Sequence, residues 1–244
     1  MPNTPIDPGG AGWAVPGWQL PLAQLCDSAL PTGAFSHSFG LETYVADGRV
    51  HDAPTFLAWL RSMVRTPLTC GDGHAIRLVA EALPDPRSDP GAAWPIDRAL
   101  FSQTPARQVR EANVAMGRRT LAVASAACPS PWLDRYADEV AADRCHGHPA
   151  VAVALAGAWL GAPPGALVAA YLQGIATTLT QNAVRLIPLG QNAGQFVLSS
   201  VRGDIVAAVA RVRTLTPLDF GATGPGLEIA QMRHERLRAR MYMS

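Results

Sequence analysis

Two short stretches hold residue types that could do chemistry. In Cys145-His146-Gly147-His148 a thiol and two imidazoles stand within four positions. Thiolate and imidazole together suit Ni²⁺ or Zn²⁺. Three donors leave a tetrahedral site one short, so a fourth would have to come from elsewhere. The competing reading is structural: Pro149 opens a helix, and His148 packs or caps at its start. Ser36-His37-Ser38 offers hydroxyls beside an imidazole, the makings of a nucleophile and base. Neighbours in sequence rarely pair in that way, and no G-x-S-x-G frame surrounds them. Packing in a helix–helix elbow is the stronger reading there.

Composition narrows the chemistry further. All 20 basic residues are Arg, which removes the Lys of a phosphate-binding P-loop and any Schiff-base or Ser-Lys mechanism. A net charge of +1 is too small for a dedicated nucleic-acid binder. Cys26, Cys70, Cys128 and Cys145 are widely spaced, with neither a C-x-x-C pair nor a dense disulfide pattern, so reduced thiols and a cytoplasmic location are expected. No basic stretch followed by an apolar core marks a signal peptide. From Cys145 to Val184 there is no charged residue. Gly161-Ala162-Pro163-Pro164-Gly165 interrupts that stretch, and Gln173, Thr177, Thr178, Thr180, Gln181 and Asn182 follow. It reads as central bundle helices rather than a membrane span.

The elements that position these residues read as helices. Leu22, Leu25 and Ala29 form a stripe that Pro31-Thr32-Gly33 stops. Phe35 and Phe39 are expected to bury in the elbow, with Gly33 and Gly40 allowing close approach. Leu41, Tyr44 and Val45 face inward on the next helix, with Glu42 and Asp47 off that face. Asp52 is an N-cap with Pro54 in the first turn. That helix runs to Thr66-Pro67, and another runs from Asp72 to Leu83. The loop 84–95 is turn-rich. A long helix opens at Pro105 and ends at Cys128-Pro129, and Trp132, Leu133, Tyr136 and Val140 mark a shorter one. Further helices run to Val212, and a last Arg-rich helix or tail covers 227–241. No stretch alternates with period two. The expectation is an all-α, single-domain antiparallel helical bundle of about ten helices, with a core drawn mostly from 105–210. Residues 1–19 form a flexible leader in which Trp13 and Trp18 could dock, 20–226 the helical domain, and 227–244 a C-terminal docking segment.

The elbow and three further motifs resemble the urease accessory protein UreF family. They are Leu25–Val45 (LCDSALPTGAFSHSFGLETYV), His146–Ala156, Ala183–Gln195 (AVRLIPLGQNAGQ) and Met232–Ser244 (MRHERLRARMYMS). Arg110, Gly117 and Arg119 match a further element of that family. The loop 84–95 has no counterpart in these motifs, and Ala34 and His37 stand where the family varies. The resemblance implies an all-α homodimer that is not an enzyme and holds no tightly bound cofactor. It would bind UreD (UreH in some bacteria) and recruit the GTPase UreG. Nickel would be cargo passed to apo-urease, with no role for nucleic acid or membrane. The partner-binding residues it implies are Tyr44, Arg119, Arg240, Tyr242 and Ser244. Tyr44 is expected at the edge of the elbow for UreG. Gly117, costly in the middle of a helix, is expected to let its face pack closely on another helix, within the subunit or across the dimer. The 232–244 tail is expected to order on UreD, with Arg240 and Tyr242 as anchors. The alternative from another class is a metal-binding module or metal-dependent hydrolase built on Cys145, His146 and His148.

Overall fold

The computed structural model describes residues 14–221 and 224–244. Residues 1–13, which include Trp13 and most of the expected leader, lie outside the described residues. Trp18 packs against the core beside α1 (Gln19–Leu25). A 3-10 turn at Ala34–Ser36 leads to α2 (Leu41–Ala46). Then come α3 (Ala53–Met63), a π-helical segment (Val64–Gly73) and α4 (His74–Ala82). α5 (Trp94–Ser102), α6 (Arg107–Ala127) and α7 (Pro131–Ala141) precede the central α8 (Pro149–Trp159). The long α9 (Pro164–Leu186) and α10 (Gln191–Val212) follow, and α11 (Pro225–His234) leads into the tail. No residue among those described is in a strand, and the chain is all-α.

The centre of the molecule is α8. Ala150 through Gly157 are all buried, so this helix has no solvent face. A helix that is apolar all round must be enclosed by others, and α4, α6, α7 and α9 enclose it. The charge-free stretch is therefore core. One contiguous cluster includes Leu22, Phe56, Leu60, Ile76, Leu133, Leu155, Leu172, Val201 and Leu227. It makes a single domain and draws on the first hundred residues more heavily than expected.

Local signals explain several boundaries. The Asp52 carboxylate accepts from the Thr55 amide at 2.9 Å, closing a capping box. Ser130 caps α7 by accepting from the Leu133 amide at 3.2 Å. Two expectations fail. The α1 helix ends at Leu25, and Ala29 is exposed beyond it. Thr66-Pro67 does not break the chain: helical structure is continuous from Ala53 to Ala82, with Pro67 inside the π-helical segment. The wider turn accommodates the proline ring that would strike a carbonyl in α geometry. The Thr66 and Thr69 hydroxyls donate to the carbonyls of Ser62 and Val64. The helical stripe was readable, but this local relief of the proline clash was not.

Candidate partner-binding corner

The elbow is built on two glycines in the left-handed region, Gly33 at φ 84° and Gly40 at φ 88°. A Cβ on Gly33 would stand 2.4 Å from the Arg119 guanidinium, and one on Gly40 would stand 2.9 Å from the Gln231 side chain. Only glycine satisfies both the backbone angle and the close approach. Between them the buried residues are polar. His37 and Ser38 are buried, whereas Phe35 and Phe39 are only half-buried, the reverse of the expected packing.

The reason is the C-terminal tail, which lies on the elbow. The Ser244 main-chain oxygen accepts from the amides of Ser38 and Phe39 and from Ser38 Oγ, the last at 2.8 Å. Ser244 Oγ pairs with His37 Nδ1 at 2.9 Å, and the Met243 amide donates to the Ser36 carbonyl at 2.8 Å. Asn182 on α9 donates to the His37 carbonyl at 2.8 Å, and its own carbonyl accepts from the Tyr242 hydroxyl at 3.0 Å. Tyr242 and Ser244 are thus buried on their own chain, 4% and 1% exposed.

Glu42 closes this arrangement. It lies inside the fold rather than off the inward face of α2, and its carboxylate accepts from the amides of Met241 at 2.6 Å and Tyr242 at 3.2 Å. His234 Nε2 meets the same carboxylate at 2.9 Å, and His234 Nδ1 meets Gln108 at 2.9 Å. Thr43 donates to the Ala230 carbonyl at 2.8 Å, and Arg233 forks onto Asp47 at 2.9 and 3.0 Å. What projects outward is Arg240, Met241 and Met243, with both methionines more than half exposed.

The other implied residues surround this corner. Arg119 is exposed on α6 and reaches the Thr32 carbonyl at 3.4 Å. Tyr44 is half-buried, edge-on to Trp59 at 6.4 Å, with the Arg49 guanidinium 4.3 Å above its ring. No catalytic pair forms in the elbow. The Ser38 hydroxyl is bonded to a main-chain oxygen, and burial, then the positive charges of Arg119 and His234, hold the His37 imidazole below its ordinary value. A triad base has a carboxylate in that position.

The Cys145–His148 stretch serves a structural node instead. Asp97 on α5 is fully buried and accepts from the His146 and His148 amides and from the Tyr136 hydroxyl. The His148 ring caps α8 by accepting from the Ala150 amide at 3.3 Å. The His146 ring stacks on Phe101 with centroids 3.6 Å apart. Burial, reinforced by Asp97, pushes the Cys145 thiol up to about 12, so it packs here as a neutral thiol. Among the described residues no group of three or more His, Cys, Asp and Glu is arranged to hold a metal. Gly117 packs where α6 crosses this loop; a Cβ there would stand 1.5 Å from the Gly147 carbonyl oxygen. The α6 face that carries Gly117 packs on α8 within the chain, as expected, with the closest approach at Gly147 and His148 where α8 begins.

A cavity of about 190 Å³ lies between the elbow, the π-helical segment, α6 and α9. Its lining includes Leu30, Met63, Met116 and Ile175, with Asp72 accepting from the Tyr171 hydroxyl at 2.9 Å. Burial raises both groups, favouring their neutral forms.

Sequence reasoning missed Asp97 and misplaced Glu42. A signal for Asp97 exists: Trp94, Asp97 and Leu100 recur every three residues, which sets the carboxylate on the buried stripe of α5.

Residues 50–202 match the family model described as UreF. The chain is 49% identical over 227 residues to the urease accessory protein UreF of Arthrobacter sp. strain FB24, covering 93% of this chain and 97% of that protein. It is 47% identical to the Paenarthrobacter aurescens TC1 protein of the same name, with 93% and 98% covered. Identity to the Lachnoclostridium phytofermentans one is 44%, with 92% and 98% covered. No helix among the described residues is long and apolar enough to cross a membrane. With nearly half of its residues shared along almost the whole length of these relatives, the chain belongs to the UreF family.

Proposed function

We propose that this protein is a non-catalytic urease maturation factor, working in the cytoplasm as a homodimer that binds UreD (UreH) and recruits the GTPase UreG. Nickel is the cargo of that assembly, bound for apo-urease, and is not a resident cofactor of this chain. The observation that carries the reading is the near-full-length identity to proteins named urease accessory protein UreF. The absence of any Lys agrees with a partner of a GTPase rather than a P-loop enzyme. The hydrolase alternative is not favoured, because Cys145, His146 and His148 are engaged in packing and capping.

The corner suggests how the implied residues divide the work. Tyr242 and Ser244 shape the tail by bonding to Asn182 and the elbow, and Arg240, Met241 and Met243 form the face offered to UreD. An exposed Arg beside two methionines is the composition of a docking patch. Tyr44, under Arg49, offers a separate edge for UreG, and Arg119 braces the elbow between them.

Co-expression with UreD and UreG tests this directly. The Arg240→Glu/Met241→Glu variant should fold normally and lose UreD in pull-down and urease activation in cells. Retention of UreD at wild-type yield would overturn the assignment of the tail face.

A further inference from the structure

α10 has an inner and an outer face of different kinds. Val197, Val201, Ile205, Ala208 and Val212 are buried against the domain. On the outside, Phe196 is 66% and Val206 is 70% exposed. Gly203 lies on this outer face, and no atom stands within 4 Å of where its Cβ would be. A glycine inside a helix weakens it, and here no contact within the described chain makes use of the missing side chain.

Charge is uneven around this face. α10 and the elements packed on it, α3, the π-helical segment and α9, contain Arg61, Arg65, Arg185, Arg202 and Arg211 but only two acids, Asp72 and Asp204; Arg211 pairs at 3.8 Å with Asp219, just beyond α10. Asp72 is engaged with Tyr171 at the cavity. Asp204 is shared by two cations, with Arg61 at 3.0 Å and Arg65 at 2.6 Å. Arg202 and Arg213 are exposed and have no carboxylate partner among the described residues. At 3.6 residues per turn, Arg202 and Arg213 border one edge of the Phe196–Val206 face, and the Arg61–Asp204–Arg65 group borders the other.

We propose that the outer face of α10 docks an acidic amphipathic helix of a partner protein. Its apolar seam lies along Phe196, Gly203 and Val206, and its carboxylates meet Arg202 and Arg213 on one edge and the Arg61–Arg65 pair on the other. Gly203 lets the two backbones approach. A second copy of this chain is a poor occupant, because it would bring arginine edges against arginine edges. An anionic lipid surface is also a poor one. Interfacial helices insert a broad band of large apolar side chains, and here only Phe196 and Val206 are large. The inference concerns a different surface from the elbow–tail corner and does not rest on the urease reading.

The test uses the full chain and two labelled helical peptides with the same Leu/Ala seam, one with Glu edges and one with Lys edges. Fluorescence anisotropy should show the Glu peptide binding at least about tenfold tighter than the Lys peptide, and weakening as salt rises. Arg202→Glu/Arg213→Glu and, separately, Gly203→Leu should each cut Glu-peptide affinity by about tenfold; the circular dichroism spectrum should be kept in both, with Tm unchanged in the first and unchanged or raised in the second. Equal binding of both peptides, or full binding to Gly203→Leu, would overturn the proposal. So would dissociation of a dimer by Val206→Asp in sedimentation, which assigns the face to a second copy. Co-sedimentation with phosphatidylserine vesicles that Val206→Asp abolishes would assign it to lipid instead, and would equally overturn the proposal.

Discussion

Asp97 and Glu42 do the same job in two different places. Each is a buried carboxylate that accepts two backbone amides and one side-chain group: His146, His148 and Tyr136 for Asp97, and Met241, Tyr242 and His234 for Glu42. Their settings differ. The loop held by Asp97 is tied at both ends, to α7 and α8, and sits beneath α6. The segment held by Glu42 is tied to the body at one end, through α11. Removing Asp97 leaves donors stranded in the core. Removing Glu42 should free the Met241 and Tyr242 amides to reach water, while His234 stays buried on α11 beside Gln108. The same chemistry therefore makes a permanent node in one place and a releasable strap in the other.

The largest effect expected from this comparison is on the core node. Asp97→Ala should cost roughly 3–5 kcal/mol, since two amides and a phenol lose a buried charged acceptor. Urea denaturation would measure it. A loss near that of an ordinary surface substitution would mean that water replaces the carboxylate and that the node is not rigid.

Gly117→Ala comes next. Its Cβ would collide with the Gly147 carbonyl, so the loop or α6 must shift, at about 3 kcal/mol. Thermal unfolding with a raised Tm would show that the close crossing of α6 over the loop is wrong.

A smaller effect is expected from acid at the strap. Burial, then Arg119 and His234, holds His37 below its ordinary value. The unfolded chain therefore takes up a proton that the folded elbow resists. Stability from this group is full above about pH 6.5 and declines as pH falls through that value. Tail release followed by tryptic cleavage among Arg236, Arg238 and Arg240 should quicken on going from neutral to mildly acidic pH. A His37→Gln variant should flatten that dependence; an unchanged slope would place the sensitivity elsewhere.

The two nodes also show what the chain reveals before it folds. The charge-free run before Arg185, the Asp52 cap and Pro149 at the start of α8 are local signals. Each follows from burial or capping within a few residues, and each appears in the structure. The motifs Leu25–Val45 and Met232–Ser244 were readable as separate signatures, but their meeting was not. Contacts such as Glu42 with Tyr242 span about two hundred residues, and no periodicity encodes such a pairing. Helical-face reasoning placed Glu42 outward because charge usually faces water. It buries because backbone donors from the tail replace that water. The Cys145–His148 stretch misleads for a related reason: three good metal donors look alike in sequence whether they converge or, as here, cap, stack and pack. Arg119 was legible only as a motif position; its approach to Gly33 depends on how α6 lies across the elbow.

Glu42 straps the tail to the elbow of the protein on its own. Amide hydrogen exchange resolved at Met241 and Tyr242 tests this most directly. In the wild-type chain these amides should be protected on the order of a hundredfold or more over free peptide. In Glu42→Ala they should exchange nearly freely, while the amides of His146, His148 and α8 keep their protection. Wild-type Met241 and Tyr242 amides that already exchange at the free-peptide rate would contradict the account.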